Sequence, residues 1–395
     1  MKVMFINSVV DYGSTGKIVR DLANGLISKG HEVLMVYGRH QAKETDNTFD
    51  MSDTTGFYNH VIMTRLFGDH GLHSKAATHK LIEKIKEFQP DTIHIHNIHG
   101  YYCHVPMLMD FLKETNIKVL WTLHDAWLIS GSGAYFDFNG CSLWNDGCEV
   151  CTSTKDYPEV VGIAQQKRNL DWKKDKIGSL KNLHFITPSH WLKDLIAKSY
   201  LGKFSCSVVH NGINLDVFKP TENADLMERY KGKKILLGIA SKWERRKGLE
   251  DFIKLSTMLS DEYQIVLIGL EKEQIGKLPS NVVGISRTQD ATELAAYYTL
   301  AHAFLNPTYE DNYPTTNIEA LSCNTPVIAY DTGGNKEVPG ITIVPQGDLK
   351  ELIAKVEEIN PDQGLSYRND LFSAQNFVEE MMDFYEENYE ENSNR

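Results

Sequence analysis

The sequence predicts an α/β protein built as two Rossmann-like lobes with parallel sheets facing a central cleft. Three observations predict it. Short apolar runs alternate with longer amphipathic ones, the mark of βα units on a parallel sheet. The alternation lapses and restarts after KFSCSVVHNGINLDVFKP, so the pattern is played twice. The chain has 395 residues, and at about 150 residues per domain that length divides into two or three domains.

In the first half, Lys2 to Val9 reads as a strand. From Thr15 to Lys29 the residues Ile18, Val19, Leu22, Ala23, Leu26 and Ile27 recur at helical spacing, and Gly30 follows as a C-cap. Next come the strand HEVLMVY, a polar loop, a helix over Lys75 to Phe88, the strand DTIHIH, a helix from Pro106 to Glu114 and the strand IKVLWTL. Residues 131–181 are irregular, with the insert AYFDFNGCSLWNDGCEVC and the basic amphipathic stretch QQKRNLDWKKDKIGSLK. LHFITPS and a helix from His190 close this half. In the second half KKILLGIA, YQIVLIGL, NVVGI, HAFLNP and TPVIAY read as strands, with helices from Lys247 and over Thr292 to Leu300. Pro220 and TENAD mark the joint between lobes. A last helix, about Asp370 to Tyr389, is expected to cross back to the first lobe. The expected domains are 1–205, 206–365 and 366–395, the last ending in the acidic tail EENYEENSNR.

Composition narrows the function. Lysine and arginine number 41 against 53 acids, a net charge of −12, which argues against a nucleic-acid binder working by general electrostatics. The opening KVMFINSVV is too short an apolar run for a signal peptide or a membrane span. Six cysteines in a chain of this size do not make a disulfide scaffold and indicate a reducing, cytoplasmic compartment.

The richest stretch is Asn306 to Gly334, NPTYEDNYPTTNIEALSCNTPVIAYDTGG. It reads as a strand end, a polar loop, a short helix, a second strand and a glycine turn. In an open parallel sheet ligands sit beyond the carboxyl ends of the strands. Helix-opening amides there bind phosphate, and carboxylates such as Asp311 and Glu319 accept hydrogen bonds from sugar hydroxyls. A nucleotide sugar carries both groups. The loop DYGSTG, from Asp11 to Gly16, is not a Walker A motif: Asp11 stands where a glycine is needed and Ile18 where Ser or Thr is needed. G-x-G-x-x-G is also absent, which leaves a flexible loop whose Gly13 and Gly16 let amides approach a ligand.

TRLFGDHGLHSKAATHKLI, HIHNIHGYY, TLHDAW, TPSHWL, HNGINLDVF, SKWERRKGL and EDNYPTTNIEALSCNTPVI together resemble the retaining, sugar-nucleotide-dependent glycosyltransferases of family 4, which have the GT-B fold. The likeness spans nearly the whole chain and is strongest to the branch that builds colanic-acid-like and other bacterial surface polysaccharides. The family's E-x7-E signature is met as Asp311-x7-Glu319. The resemblance implies that Glu319 meets the nucleotide ribose and that the first acid, Asp311 or the adjacent Glu310, meets the donor sugar. Either Asp311 or Glu319 alternatively caps the helix opening at Thr315. Lys242 and Lys247 fall where the family places an Arg and a Lys on the donor diphosphate, with Arg245 or Arg246 able to replace Lys242. Arg287 and Thr288 lie where relatives bind the base, and Asn312, Tyr313, Thr315 and Thr316 line the donor loop. His124 stands beside donor and acceptor, to position or polarise, unless it is a buried structural histidine.

Other features stay open. His94, His96, His99 and His104 make a dense run, read as acceptor-side or loop-shaping through Asn97, His99 and Tyr101 rather than as a metal site. Cys141, Cys148 and Cys151 are either three ligands of a zinc site or packed thiols. Lys167, Arg168, Lys173, Lys174 and Lys176 around Trp172 form either a solvated helix face or a patch for anionic lipid. The expected protein is a retaining, metal-independent hexosyltransferase with no cofactor. It takes a nucleoside diphosphate sugar, a UDP-sugar before a GDP-sugar, to a growing lipid-linked glycan. Its expected place is the cytoplasm, with peripheral contact at the inner membrane. Two rivals are a non-catalytic sugar-nucleotide-binding scaffold and a two-lobed sugar-nucleotide epimerase. The epimerase needs a catalytic acid set in the first lobe that the sequence does not offer.

Overall fold

A computed structural model of the chain describes residues 1–39, 45–142, 144–145, 147–149, 154–360 and 370–386. It divides into two compact units, Met1–His210 with Val378–Arg395, and Asn211–Phe377.

In the first unit the strands are β1 (Lys2–Asn7), β2 (Glu32–Tyr37), β3 (Thr48–Asp50), β4 (Thr92–Ile95), β5 (Lys118–Thr122), β6 (Leu183–Thr187) and β7 (Ser205–Val208). The helices are α1 (Gly13–Ser28), α2 (Thr54–Phe67), α3 (Lys75–Phe88), α4 (Val105–Lys113), α5 (Gln166–Gly178) and α6 (His190–Lys198). The sheet runs β3-β2-β1-β4-β5-β6-β7 and its pairings are parallel. Because both faces of such a sheet are covered, β1 is apolar and buried almost throughout rather than alternating, and β4 (TIHI) is buried at every position. The buried core gathers Ile6, Val36, Ile95, Leu108, Trp121, Trp127 and Phe185.

In the second unit the strands are β8 (Lys234–Ile239), β9 (Tyr263–Ile268), β10 (Val282–Ile285), β11 (Ala303–Asn306), β12 (Val327–Tyr330) and β13 (Thr342–Val344). The helices are α7 (Ala224–Arg229), α8 (Leu249–Leu255), α9 (Lys272–Ile275), α10 (Ala291–Leu300), α11 (Thr315–Ser322) and α12 (Leu349–Glu357). The sheet runs β10-β9-β8-β11-β12-β13, parallel throughout. A last helix, α13 (Ala374–Glu386), begins in the second unit and ends in the first. There Val378 packs on Gly25, where a Cβ would come within 2.3 Å of a Val378 methyl.

The observed divisions differ from 205, 365 and Pro220 for a reason of pairing. Ser205–Val208 is the edge strand of the first sheet, pairing with β6, so the first unit continues to His210. Pro220 lies inside the second unit. Ser373 bridges Ile213, which keeps the segment after Asp370 in that unit. Both sheets share one consequence: neighbouring strands β1 and β4, and β8 and β11, connect outward in opposite directions. Each pair is therefore a topological switch point, where a crevice opens beyond the carboxyl ends of the strands.

Candidate functional site

At the switch point of the second sheet, the segment after β8 meets the loop after β11. Their backbones are tied directly: Tyr309 N–H donates to the Arg246 carbonyl at 2.7 Å and the Thr308 hydroxyl to the same oxygen at 3.1 Å. Gly248, at φ +74°, lets the strands of this knot approach, since a Cβ there would lie 2.2 Å from the Pro307 carbonyl oxygen. The Lys247 ammonium donates to the Asp311 carboxylate, and the Arg246 guanidinium stands 4.0 Å from the same oxygen. Arg246 also donates to the Glu310 carbonyl at 2.8 Å. Burial pulls the Lys247 ammonium below its ordinary value, with Asp311 opposing. Burial likewise pushes Asp311 up, but Lys247 and Arg246 outweigh it and hold the carboxyl below the usual range. Asp311 is thus held as a carboxylate beside the Arg246 guanidinium, with the Lys247 nitrogen on it.

The two acids of the E-x7-E pattern separate in role. Asp311 faces the cations and keeps some exposure, whereas Glu310 is 1% exposed. Glu319, on α11, accepts from the Tyr298 hydroxyl at 3.0 Å. Neither Asp311 nor Glu319 caps α11: its N-cap is Pro314, with no side-chain cap, while Asp311 accepts instead from the Asn312 amide at 3.0 Å. The start of that helix therefore offers amides beside half-buried Thr315 and Thr316. Gly333, at φ +52°, closes the turn after β12, where a Cβ would fall 1.7 Å from the Asp311 carbonyl oxygen; Gly334 N–H donates to that carbonyl at 3.2 Å. Tyr313 is buried and its carbonyl accepts from the Asn211 amide at 3.3 Å.

Of the remaining donor-side candidates, Lys242 is joined to Arg246 through Glu244, which stands 3.6 Å from each. Lys242 is exposed, with its ammonium 3.6 Å from Glu244, and Arg287 is exposed in the loop after β10. The cations gathered on Asp311 are Arg246 and Lys247. Sequence reasoning missed the supports beneath: Asn306 donates to Asn317 (2.8 Å), Asn317 to Asn335 (3.0 Å) and Asn335 to the Tyr330 carbonyl (3.1 Å). It also missed buried Asp251, which accepts from the Tyr309 and Tyr330 hydroxyls at 2.7 and 2.9 Å. An acid inside the apolar run LEDFIKL was the available signal.

In the first unit the ends of β4 and β5 present imidazoles around a small polar cavity lined by His96, His99, His124 and Asp125, with room for about one water. His96 Nδ1 and His124 Nε2 are 2.9 Å apart with the rings stacked. His94 holds the Thr122 hydroxyl at 2.8 Å and the Tyr385 hydroxyl at 2.6 Å. Burial lowers His124 to about 4 and His94 to about 3. His99 lies 2.8 Å from the Asp125 carboxylate, whose other oxygen accepts from the Trp127 amide at 2.9 Å. Burial pushes Asp125 up, but His99 prevails and the carboxyl lies below its usual value.

Gly13 and Gly16 sit in the first turn of α1 rather than in an open loop. A Cβ on buried Gly16 would meet the Asp11 amide nitrogen at 3.2 Å, so Gly16 is a packing glycine as well. Lys173 corrects the reading of a solvated basic face. It is buried, donates to the Trp127 and Ser130 carbonyls at 2.6 and 3.0 Å, and lies 3.7 Å from the centre of a Trp127 ring, with burial lowering it to about 7. Cys148 is buried and Cys141 half-buried; Cys151 lies outside the described residues. Among the described residues no helix is long and apolar enough to cross a membrane.

Comparison with known proteins places this geometry. Residues 15–217 match the family model "Glycosyltransferase Family 4", and residues 222–374 match "Glycosyl transferases group 1". WcaC of Escherichia coli (strain K12), a glycosyl transferase assigned to colanic acid biosynthesis, is 27% identical over 322 residues, covering 75% of this chain and 76% of that protein. The O-antigen chain mannosyltransferase RfbU of Salmonella typhimurium is 27% identical over 157 residues, 38% of this chain and 42% of that one. Among solved structures, sucrose-phosphate synthase from Thermosynechococcus elongatus superposes with a TM-score of 0.70 at 17% identity, covering 97% of this chain and 98% of that one. WaaG, a glycosyltransferase involved in lipopolysaccharide biosynthesis, superposes at 0.65 with 15% identity, covering 98% and 100%. The two parallel-sheet units are those of the GT-B fold, and the chain belongs to glycosyltransferase family 4.

Proposed function

We propose that this glycosyltransferase moves a hexose from a UDP-sugar to a growing lipid-linked glycan of a surface polysaccharide, with retention and without a metal ion. The observation that carries the reading is the Lys247–Asp311 pair, with Arg246 beside it, at the switch point next to the side-chain-uncapped start of α11. The diphosphate would meet the α11 amides, Arg246 and Lys247, and Asp311 would accept from donor-sugar hydroxyls. Glu319, oriented by Tyr298, would meet the ribose. As the anomeric C–O bond breaks, negative charge grows on the departing β-phosphate, and cations already fixed there lower that barrier. The acceptor hydroxyl attacks from the same face and gives its proton to the departing phosphate. His124, neutral because burial disfavours its charge, would orient the reacting groups rather than attack. A colanic acid transferase and an O-antigen mannosyltransferase among its relatives support the surface-glycan setting.

The test is thermal stabilisation against UDP, GDP and their sugars in the presence of EDTA. A ligand at about 100 times its Kd adds roughly 2.7 kcal/mol. A uridine nucleotide should raise the melting temperature of the wild type and not of Lys247→Met. No shift from any nucleotide would overturn the donor site; a shift only with guanosine nucleotides would overturn the base.

A further inference from the structure

His96 follows β4 and is 2% exposed, with the ring centres of His94 and Phe5 at 4.2 and 6.0 Å. Its backbone is held on both sides: the His96 amide donates to the Ile6 carbonyl at 2.9 Å, and its carbonyl accepts from the Trp121 indole at 3.1 Å. Of the two ring nitrogens, Nδ1 lies 2.9 Å from His124 Nε2, while Nε2 is buried with no hydrogen-bond partner among the described residues. Burial holds His96 well below the imidazole range and His124 at about 4, so both rings are neutral at neutral pH. A single proton therefore lies between them, and it belongs to one ring or the other.

The choice is felt at the far end of each ring. Were His124 the donor, the one proton of His96 would sit on Nε2, a buried N–H with nothing to accept it. Proteins tolerate such an orphan less often than an acceptor short of a donor. With His96 as donor, only a lone pair is left at its Nε2, and His124 must carry its own proton on Nδ1. His124 is half-buried, and among the described residues its Nδ1 has no partner. The acid beside it, Asp125, is already engaged by His99 and the Trp127 amide, which leaves that nitrogen to a ligand. We infer that His96 is a positioning residue: it donates from Nδ1 to His124 Nε2 and so sets His124 as a hydrogen-bond donor, through Nδ1–H, to an oxygen of the reacting sugars. Without that bond His124 is free to protonate at Nε2 and turn a bare nitrogen, an acceptor, to the ligand. This deepens the proposed function and rests on the orienting role given there to His124.

The test reads the tautomer directly. Long-range 1H–15N spectra of the full chain labelled at histidine, with the signal assigned by its loss in His124→Gln, show which ring nitrogen holds the proton. Wild-type His124 should be protonated at Nδ1, and His96→Leu should move that proton to Nε2. A wild-type His124 protonated at Nε2 would overturn the inference, whether or not His96→Leu folds. Release of UDP from the UDP-sugar that most raises the melting temperature gives the second readout. His96→Leu should lower kcat by at least about tenfold with KM held within about twofold. His96→Asn, whose amide N–H stands in for the Nδ1 donor, should return kcat to within about threefold of wild type. Leu and Asn variants equally impaired, or both like wild type, would overturn the inference. A His124 Nδ1–H signal in a chain that no nucleotide stabilises would uphold the His96–His124 bond while sinking the donor site.

Discussion

The two units bury polar groups at their switch points by opposite means. The first keeps imidazoles neutral: His94 and His124 at the switch point, and His60 on α2, are held down to about 3, 4 and 3, burial being the main cause. The second keeps a carboxylate, Asp311, paired with Arg246 and Lys247 over a chain of asparagines. A buried charge is tolerated when a partner replaces water, and otherwise the group sheds it. Under the proposed function the first arrangement would orient a neutral hydroxyl and the second would hold a diphosphate. The contrast also assigns each unit its own response to pH.

The largest expected effect is acid unfolding of the first unit. His60, His94 and His124 bind no proton when folded until about pH 3 to 4, whereas in the unfolded chain they bind one near 6.5. Stability is therefore lost as pH falls below 6.5, by up to about 1.4 kcal/mol per pH unit for each group. His60 and His94 together remove about 4 kcal/mol by pH 5. Asp311 is lowered, so its contribution persists above the ordinary carboxylate value and fades only below it. Hydrogen exchange across pH 7 to 4.5 should show the first unit opening first, and equal loss in both would break the comparison.

Next in size is Lys247→Met. Removing a fixed cation from a leaving phosphate costs some 3 kcal/mol, roughly a hundredfold in kcat. Lys242→Ala, on an exposed side chain, should leave stability within about 0.5 kcal/mol and sharpens the assignment to the buried cations. A kcat for Lys247→Met within threefold of wild type would dissolve it.

The smallest effect concerns a buried ammonium of the first unit, Lys173. Lys173, lowered to about 7, loses its proton in the folded chain well before the unfolded chain does near 10.5, so stability rises between pH 7 and 9. The rise is about 2 kcal/mol. Denaturation midpoints at the two pH values should show it in wild type and not in Lys173→Met.

Much of this was legible because periodicity carries it. Both sheets were visible as apolar runs between amphipathic ones, and the DNYPTTNIE loop fell where helix amides and acids converge. The first unit runs on to His210 rather than 205, and Ser205–Val208 is short and half-buried, with no alternation to show which sheet it joins. Lys173 was legible in principle: Leu170, Lys173 and Ile177 share a helical face, and position outweighed charge. Pairing was not legible, because Lys247 meets Asp311 across 64 residues and His94 meets Tyr385 across 291.

Tyr385 has one more consequence, for the order in which the molecule is made. The hydroxyl that holds His94 arrives on the last helix, so a ribosome that has finished all seven strands of the first sheet has yet to supply it. Through the translation of the entire second unit the nascent first unit carries an unfilled place at its centre. A stop codon after Phe377 would leave that vacancy for good.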